Sequence, residues 1–235
     1  MLGPKPRQFT EPTTVELALV ASMAAIYIVA TFFPVSPFVG GGPAFITLGI
    51  VMLPVIAILL RPALAITTVF VGSLGMALGQ PSYLQIFGLP GFLIPIVAVA
   101  AGSIAFHYRL GPLVPWTYVL IGALFYVSFS QGGTIFWLAP YALVIFSLPF
   151  ALRLKGNARI AILCFYTAMA EQVTLNILSI SILSLVGPIW AVITPFMYGE
   201  RALATVIGAM AVVALKSGLG RRLDLDNPVF VEVRR

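Results

Sequence analysis

The amino-acid sequence predicts an all-α, polytopic integral membrane helix bundle of about eight transmembrane helices, with six or seven as the alternative counts. Three observations predict it. The first is composition: 60% of the 235 residues are hydrophobic, 9% are charged, and the mean hydropathy is +1.08. A soluble domain carries about 25% charge, and apolar surface that such a chain failed to bury would aggregate. The second is a succession of apolar runs, many of them long enough for a hydrocarbon core of about 30 Å. The third is where the basic residues fall between those runs.

The elements follow in order. Lys5 and Arg7 precede span 1, Val15 to Phe33. This run lacks a small-residue cleavage site after a short apolar stretch, so it reads as a retained span and not a signal peptide. Span 2 runs from Phe45 to Leu60 and stops at Arg61-Pro62; span 3 runs from Ala63 to Gly79. Gln80 to Leu89 is loop-like, with Pro81 and Gly88 as breakers. Span 4 covers Pro90 to Tyr108, and span 5 covers Leu113 to Ser130 before the turn Gln131-Gly132-Gly133. Span 6 is Thr134 to Leu152, span 7 Arg159 to Val186, and span 8 Ile189 to Leu215 after the turn Gly187-Pro188.

Charge tests this count. With the amino terminus in the cytoplasm, the inner segments hold Lys5, Arg7, Arg61, Arg109, Arg153, Lys155, Arg159, Lys216, Arg221, Arg222, Arg234 and Arg235, which is 12 of the 13 basic residues. The outer loops hold none, as the positive-inside rule requires. The organisation is then a cytoplasmic segment 1–13, a transmembrane domain 14–216 and a cytoplasmic tail 217–235, in a multi-pass protein of the cell membrane. The net charge of +6 is spread over these short clusters, so nucleic acid is not the expected partner.

Pro54, Pro95, Pro140, Pro149 and Pro195 recur inside the spans. Each removes a backbone donor, and the expectation is bent helices, with a cavity formed by the kinks as the sharper alternative.

The most informative residues are charges that lie in no loop. Glu171 is 12 residues after Arg159, and Arg201 is 15 residues before Lys216. At 1.5 Å per residue they sit about 18 and 22 Å from the inner face. Spans 7 and 8 are joined by a tight turn, so an ion pair between Glu171 and Arg201 is expected, with Glu200 competing for the guanidinium. Left unpaired, such a charge costs at least about 2.5 kcal/mol. Thr167, Gln172, Asn176 and Ser179 share the Glu171 half of span 7, and Thr194, Tyr198 and Thr205 share the Arg201 arc of span 8. Two facing polar arcs would line a pocket open to the outside; the alternative is an ion pair that only fixes helix packing.

The uncharged outer loops offer Phe33, Phe38, Gln80, Tyr83, Gln85, Gln131, Trp137 and Trp190. Interfacial aromatics normally form a belt at the membrane surface, and that is the expectation here. The alternative is a lid built from Phe38 to Pro43 or from Gln80 to Leu89. Small residues form stripes: Ala18, Ala21, Ser22 and Ala25; Gly72, Gly75 and Gly79; Ala98, Ala101, Gly102 and Ala105. Such spacing lets helices approach closely. Internal packing is the expected use of each, and a docking face for another subunit is the alternative.

Catalysis is not expected. One His and one Cys make no metal cluster, and there is no phosphate loop. His107, at the inner end of span 4, reads as a partner of lipid headgroups, and Cys164 as a small apolar residue. No cofactor is implied.

Three segments together resemble the substrate-binding S components of energy-coupling factor transporters. They are the Ala-rich opening from Leu17 to Tyr27, the run from Ile46 through Arg61-Pro62 to Gly75, and the pair Ala170-Glu171-Gln172 with Asn176 and Gly199-Glu200-Arg201-Ala202-Leu203. That family usually has six spans. The resemblance implies capture of a scarce small molecule, such as a vitamin or its precursor, from outside. It implies a transmembrane coupling subunit and two ATPases as partners. It also implies that Ala18, Ala21, Ser22 and Ala25 dock the coupling subunit, and that Glu171, Gln172, Asn176, Tyr198, Glu200 and Arg201 hold ligand. Arg201 would then suit a carboxylate or phosphate. The alternatives are a structural or accessory subunit of a larger membrane complex, with no ligand, and an ion- or proton-coupled carrier in which Glu171 titrates.

Overall fold

The computed structural model describes residues 12, 14–37, 45–79 and 86–219. Eight α-helices stand in it, one for each apolar run: α1 Thr14–Thr31, α2 Gly49–Leu59, α3 Pro62–Gly79, α4 Leu93–His107, α5 Leu113–Phe129, α6 Ala139–Arg153, α7 Gly156–Leu183 and α8 Ile189–Leu219. Six helical segments are long and apolar enough to cross a membrane; α2 and α5 are apolar but shorter. Segments 1–11, 38–44, 80–85 and 220–235 lie outside the described residues, and with them the expectation of a lid at Phe38 to Pro43 and most of that at Gln80 to Leu89.

Span 2 divides where a single helix was expected. Phe45–Thr47 is a strand (β2), paired antiparallel with Pro34–Pro37 (β1), and the helix begins only at Gly49. β-Branched and aromatic residues favour that extended start. The Leu48 N–H donates to the Phe33 carbonyl at 2.8 Å, so the polar backbone is satisfied within the protein, as apolar surroundings demand. The remaining 11-residue α2 is about 16 Å long, half of a span. It lies in the centre of the bundle, with Ile56, Ala57 and Ile58 fully buried, against α4, α7 and α8.

α7 is the other central element. It contacts α2, α4, α5, α6 and α8, and Leu163, Cys164, Tyr166, Ala168, Met169, Ala170 and Val173 are all fully buried. A helix apolar nearly all round belongs inside a bundle. Glycines set the tightest crossings. A Cβ on Gly102 of α4 would fall 2.2 Å from Thr167 Oγ1 and 3.0 Å from the Ala57 Cβ, and one on Gly122 of α5 would fall 2.5 Å from Val173.

The small-residue stripes have two different uses. Gly72, Gly75 and Gly79 of α3 seat Tyr27 and Ile28 of α1 and Phe32 just beyond its end, and Ala98, Ala101, Gly102 and Ala105 are buried in the core. Internal packing accounts for both stripes. The α1 stripe does not follow that expectation: Ala18, Ala21, Ser22 and Ala25 are all exposed, because α1 turns its larger residues Met23 and Tyr27 inward.

Three further expectations need correction. Pro95 and Pro140 fall in the first turns of α4 and α6, where no intrahelical N–H is needed, so only Pro54, Pro149 and Pro195 lie inside helices. His107 is buried, with Nδ1 2.9 Å from the Ser103 carbonyl oxygen; it faces the protein and not lipid headgroups. Trp137 and Trp190 are 2% and 1% exposed and form part of the core, not a surface belt.

Candidate functional site

Arg201 is buried on α8 and organises the site. Its Nη1 donates to Glu171 Oε2 at 2.6 Å and to the Ala168 carbonyl at 2.8 Å; its Nη2 donates to Glu200 Oε2 at 3.3 Å. The expected pair is therefore a triad, and Glu200 joins the guanidinium without displacing Glu171. The Ser36 hydroxyl of β1 donates to the other Glu200 oxygen, which ties the hairpin to α8. Tyr27 of α1 is buried within electrostatic reach of Glu171 and beside Ser73 of α3.

One turn along α7, Gln172 Nε2 donates to Asn176 Oδ1 at 2.8 Å, and Asn176 Nδ2 donates to the Tyr141 hydroxyl of α6. Beyond them lies a recess of about 420 Å³ of empty space, mouth included. Its polar lining is Gln172, Asn176, Ser179 and Glu200, and its aromatic lining is Trp137, Trp190 and Phe196. The Trp137 and Trp190 rings meet edge to face at 4.9 Å, and Tyr126 packs edge-on to Trp190 at 5.2 Å.

Three lining side chains carry buried polar atoms with no hydrogen-bond partner: Gln172 Oε1, Trp137 Nε1 and Trp190 Nε1. The Trp137 indole lies beside the Tyr141 hydroxyl, but its N–H lacks hydrogen-bond geometry. Buried polar atoms are normally satisfied, and the exceptions need a reason. A recess that takes a hydrogen-bonding ligand supplies one.

The recess sits at one end of the bundle. Its walls come mostly from α7 and α8, closed by Pro37 and Ile46 of the β1–β2 hairpin, Trp137 of the α5–α6 connection and Leu185 of the α7–α8 connection. Those connections are tied together: Gly187 N–H donates to the Ser130 carbonyl at 2.8 Å, and the Tyr126 hydroxyl donates to the Thr134 carbonyl at 3.1 Å. Arg61, Arg109, Lys155 and Arg159 belong to the turns at the other end. There Arg61 Nε lies 3.2 Å from Glu16 Oε1, and Arg159 lies over the Phe106 ring.

The expected site residues thus divide. Gln172, Asn176 and Glu200 line the recess; Glu171 and Arg201 are buried behind it; Tyr198 is partly exposed, with its hydroxyl donating to the Phe136 carbonyl. Ser179, expected on the polar arc of span 7, lines the recess as well; Tyr141 and Ser36 join the site unannounced by the sequence, since each is an ordinary residue in an apolar or extended segment. No cluster of three metal-ligating side chains occurs among the described residues. No family model, no curated protein and no solved structure matches the chain.

Proposed function

We propose that this chain is the substrate-capture subunit of an ATP-driven importer in the cell membrane, with eight spans and both termini in the cytoplasm. The observation that carries the reading is the recess with its unpaired Gln172 Oε1 and Trp190 Nε1, at the end of the bundle opposite the basic turns. By the positive-inside rule that end faces outward, which is where a capture subunit meets its ligand. The exposed small-residue face of α1 (Ala18, Ala21, Ser22, Ala25) supports docking of a transmembrane coupling subunit, which in turn would bring two ATPases. The chain itself performs no catalysis in this reading, and the ligand is a small molecule of the vitamin or vitamin-precursor kind.

The test is affinity purification of the tagged protein from its native membrane in mild detergent, with mass spectrometry of what comes with it. A second membrane subunit, two ATPases and a bound metabolite are expected. Recovery with enzyme or respiratory subunits and no ATPase would overturn the importer reading.

One observation favours the structural alternative. Both Nη atoms of Arg201 are already paired, so the triad can serve as a clamp between α7 and α8 whether or not the recess is filled. A chain that assembles into a larger complex and yields no small molecule under any purification would support that second reading.

A further inference from the structure

We propose that the recess selects an organic cation, a protonated or quaternary amine carried on a flat or apolar body. This deepens the reading of the recess as a ligand site and rests on it.

Charge is the first argument. Arg201 contributes one positive charge and Glu171 and Glu200 one negative charge each, so the ionised triad holds an excess of one negative charge. The other basic residues of the described helices and turns belong to the opposite end of the bundle, so none of them balances it. Geometry assigns the surplus. Glu171 takes the 2.6 Å contact and lies behind the recess, whereas Glu200 is held by Arg201 at 3.3 Å and lines the recess. A buried charge in a membrane protein is expected to find a counter-charge; Glu200 has only the Ser36 hydroxyl and a shared Arg201 on its two oxygens, and of the two carboxylates it alone lines the recess.

The lining agrees. Gln172 Oε1 is an acceptor without a donor, suited to an ammonium N–H. Trp137, Trp190 and Phe196 line the recess, and aromatic rings attract a cation more than its neutral isostere. An anion would meet the Glu200 carboxylate, so the recess discriminates against it; the unpaired Trp137 and Trp190 indole N–H groups suit a neutral acceptor on the body of the same ligand. The resemblance to S components suggested a carboxylate or phosphate on Arg201, but both Nη atoms of that residue are engaged within the protein, and its remaining unpaired Nε is buried on a side chain that does not line the recess.

The test uses the full chain in lipid nanodiscs and follows tryptophan fluorescence, corrected against protein-free discs. Three probes of one shape class are compared: benzyltrimethylammonium, neopentylbenzene and phenylacetate. Saturable binding of the cation is expected, about tenfold or more tighter than the neutral isostere, the ratio a single modest charge–charge attraction produces. Glu200→Gln should erase that advantage. The wild-type comparison decides the matter even if that variant fails to fold. Equal affinity for cation and isostere would mean that a proton already neutralises the surplus carboxylate; that result, or a preference for phenylacetate, leaves a ligand site standing and overturns the cation. If no probe saturates and no small molecule is extracted from the purified chain, the ligand-site reading falls as well.

Discussion

Arg201 Nη1 and Glu171 Oε2 stand 2.6 Å apart at the buried crossing of α7 and α8, with the Ala168 carbonyl accepting from the same nitrogen. The two partners are not equivalent. Removing the carboxylate leaves Arg201 with Glu200, whereas removing the guanidinium strands two carboxylates. Arg201→Met should therefore cost about 3–5 kcal/mol, the usual penalty for breaking a buried pair. Glu171→Gln should cost clearly less. The double variant should be more stable than Arg201→Met alone, since one of the stranded charges is gone. Thermal unfolding in a single detergent measures all three. Equal losses for the two single variants would show that Glu200 carries none of the interaction.

Two glycines make opposite predictions. A methyl group on Gly102 would enter the crossing of α4 with α2 and α7, 2.2 Å from Thr167 Oγ1 and 2.8 Å from its Cγ2. Gly102→Ala should destabilise by about 1–3 kcal/mol through overpacking. A methyl on Gly199 of α8 would meet nothing within 4 Å. Gly199→Ala should be neutral or stabilise by about 0.4–1 kcal/mol, because it restricts the unfolded chain. A destabilised Gly199→Ala, measured beside Gly102→Ala, would contradict the crossing geometry.

The sequence makes the eight helices legible because six of the apolar runs are closed by a basic residue, a Gly-Pro turn or a glycine pair, and the other two by a nearby proline, Pro34 or Pro81. It also makes the Glu171–Arg201 contact legible, since two charges at matched depth on neighbouring spans have few other partners. Other features depend on tertiary contacts that no local pattern announces. Phe45-Ile46-Thr47 looks like the start of a helix until β1 offers it a hydrogen-bonding edge. Trp137 and Trp190 carry the signature of interfacial aromatics, and only the convergence of two connections buries them together. The α1 and α3 stripes look alike in sequence. One is filled by Tyr27 and Ile28 and the other is left open, because α1 presents its bulky face to α3.

Orientation can be tested with the native chain as its own blank. Cys164 is the only cysteine and is fully buried, so membrane-impermeant maleimide should leave intact cells unlabelled. Lys155 lies in the α6–α7 turn and Val186 in the α7–α8 turn, both exposed. Val186→Cys should label in intact cells, and Lys155→Cys only after the membrane is opened. The reverse pattern would invert the proposed orientation and place the recess on the cytoplasmic side.

The exposed face of α1 separates folding from assembly. Ala21 touches the bundle little, and Ala18, Ser22 and Ala25 share its exposure. Surface substitutions away from structural features usually change stability by less than about 0.5 kcal/mol, so Ala21→Phe should leave the thermal midpoint of the isolated chain where it was. A helix partner that approaches across small residues would be held off by the ring. Co-purification of the coupling subunit and ATPases proposed above should then be lost from Ala21→Phe, and kept in a control such as Leu124→Phe on the exposed side of α5. If both variants retain the same partners, the α1 face is not the docking surface. If Ala21→Phe lowers the midpoint of the isolated chain, the stripe belongs to the fold and cannot be read as a docking surface.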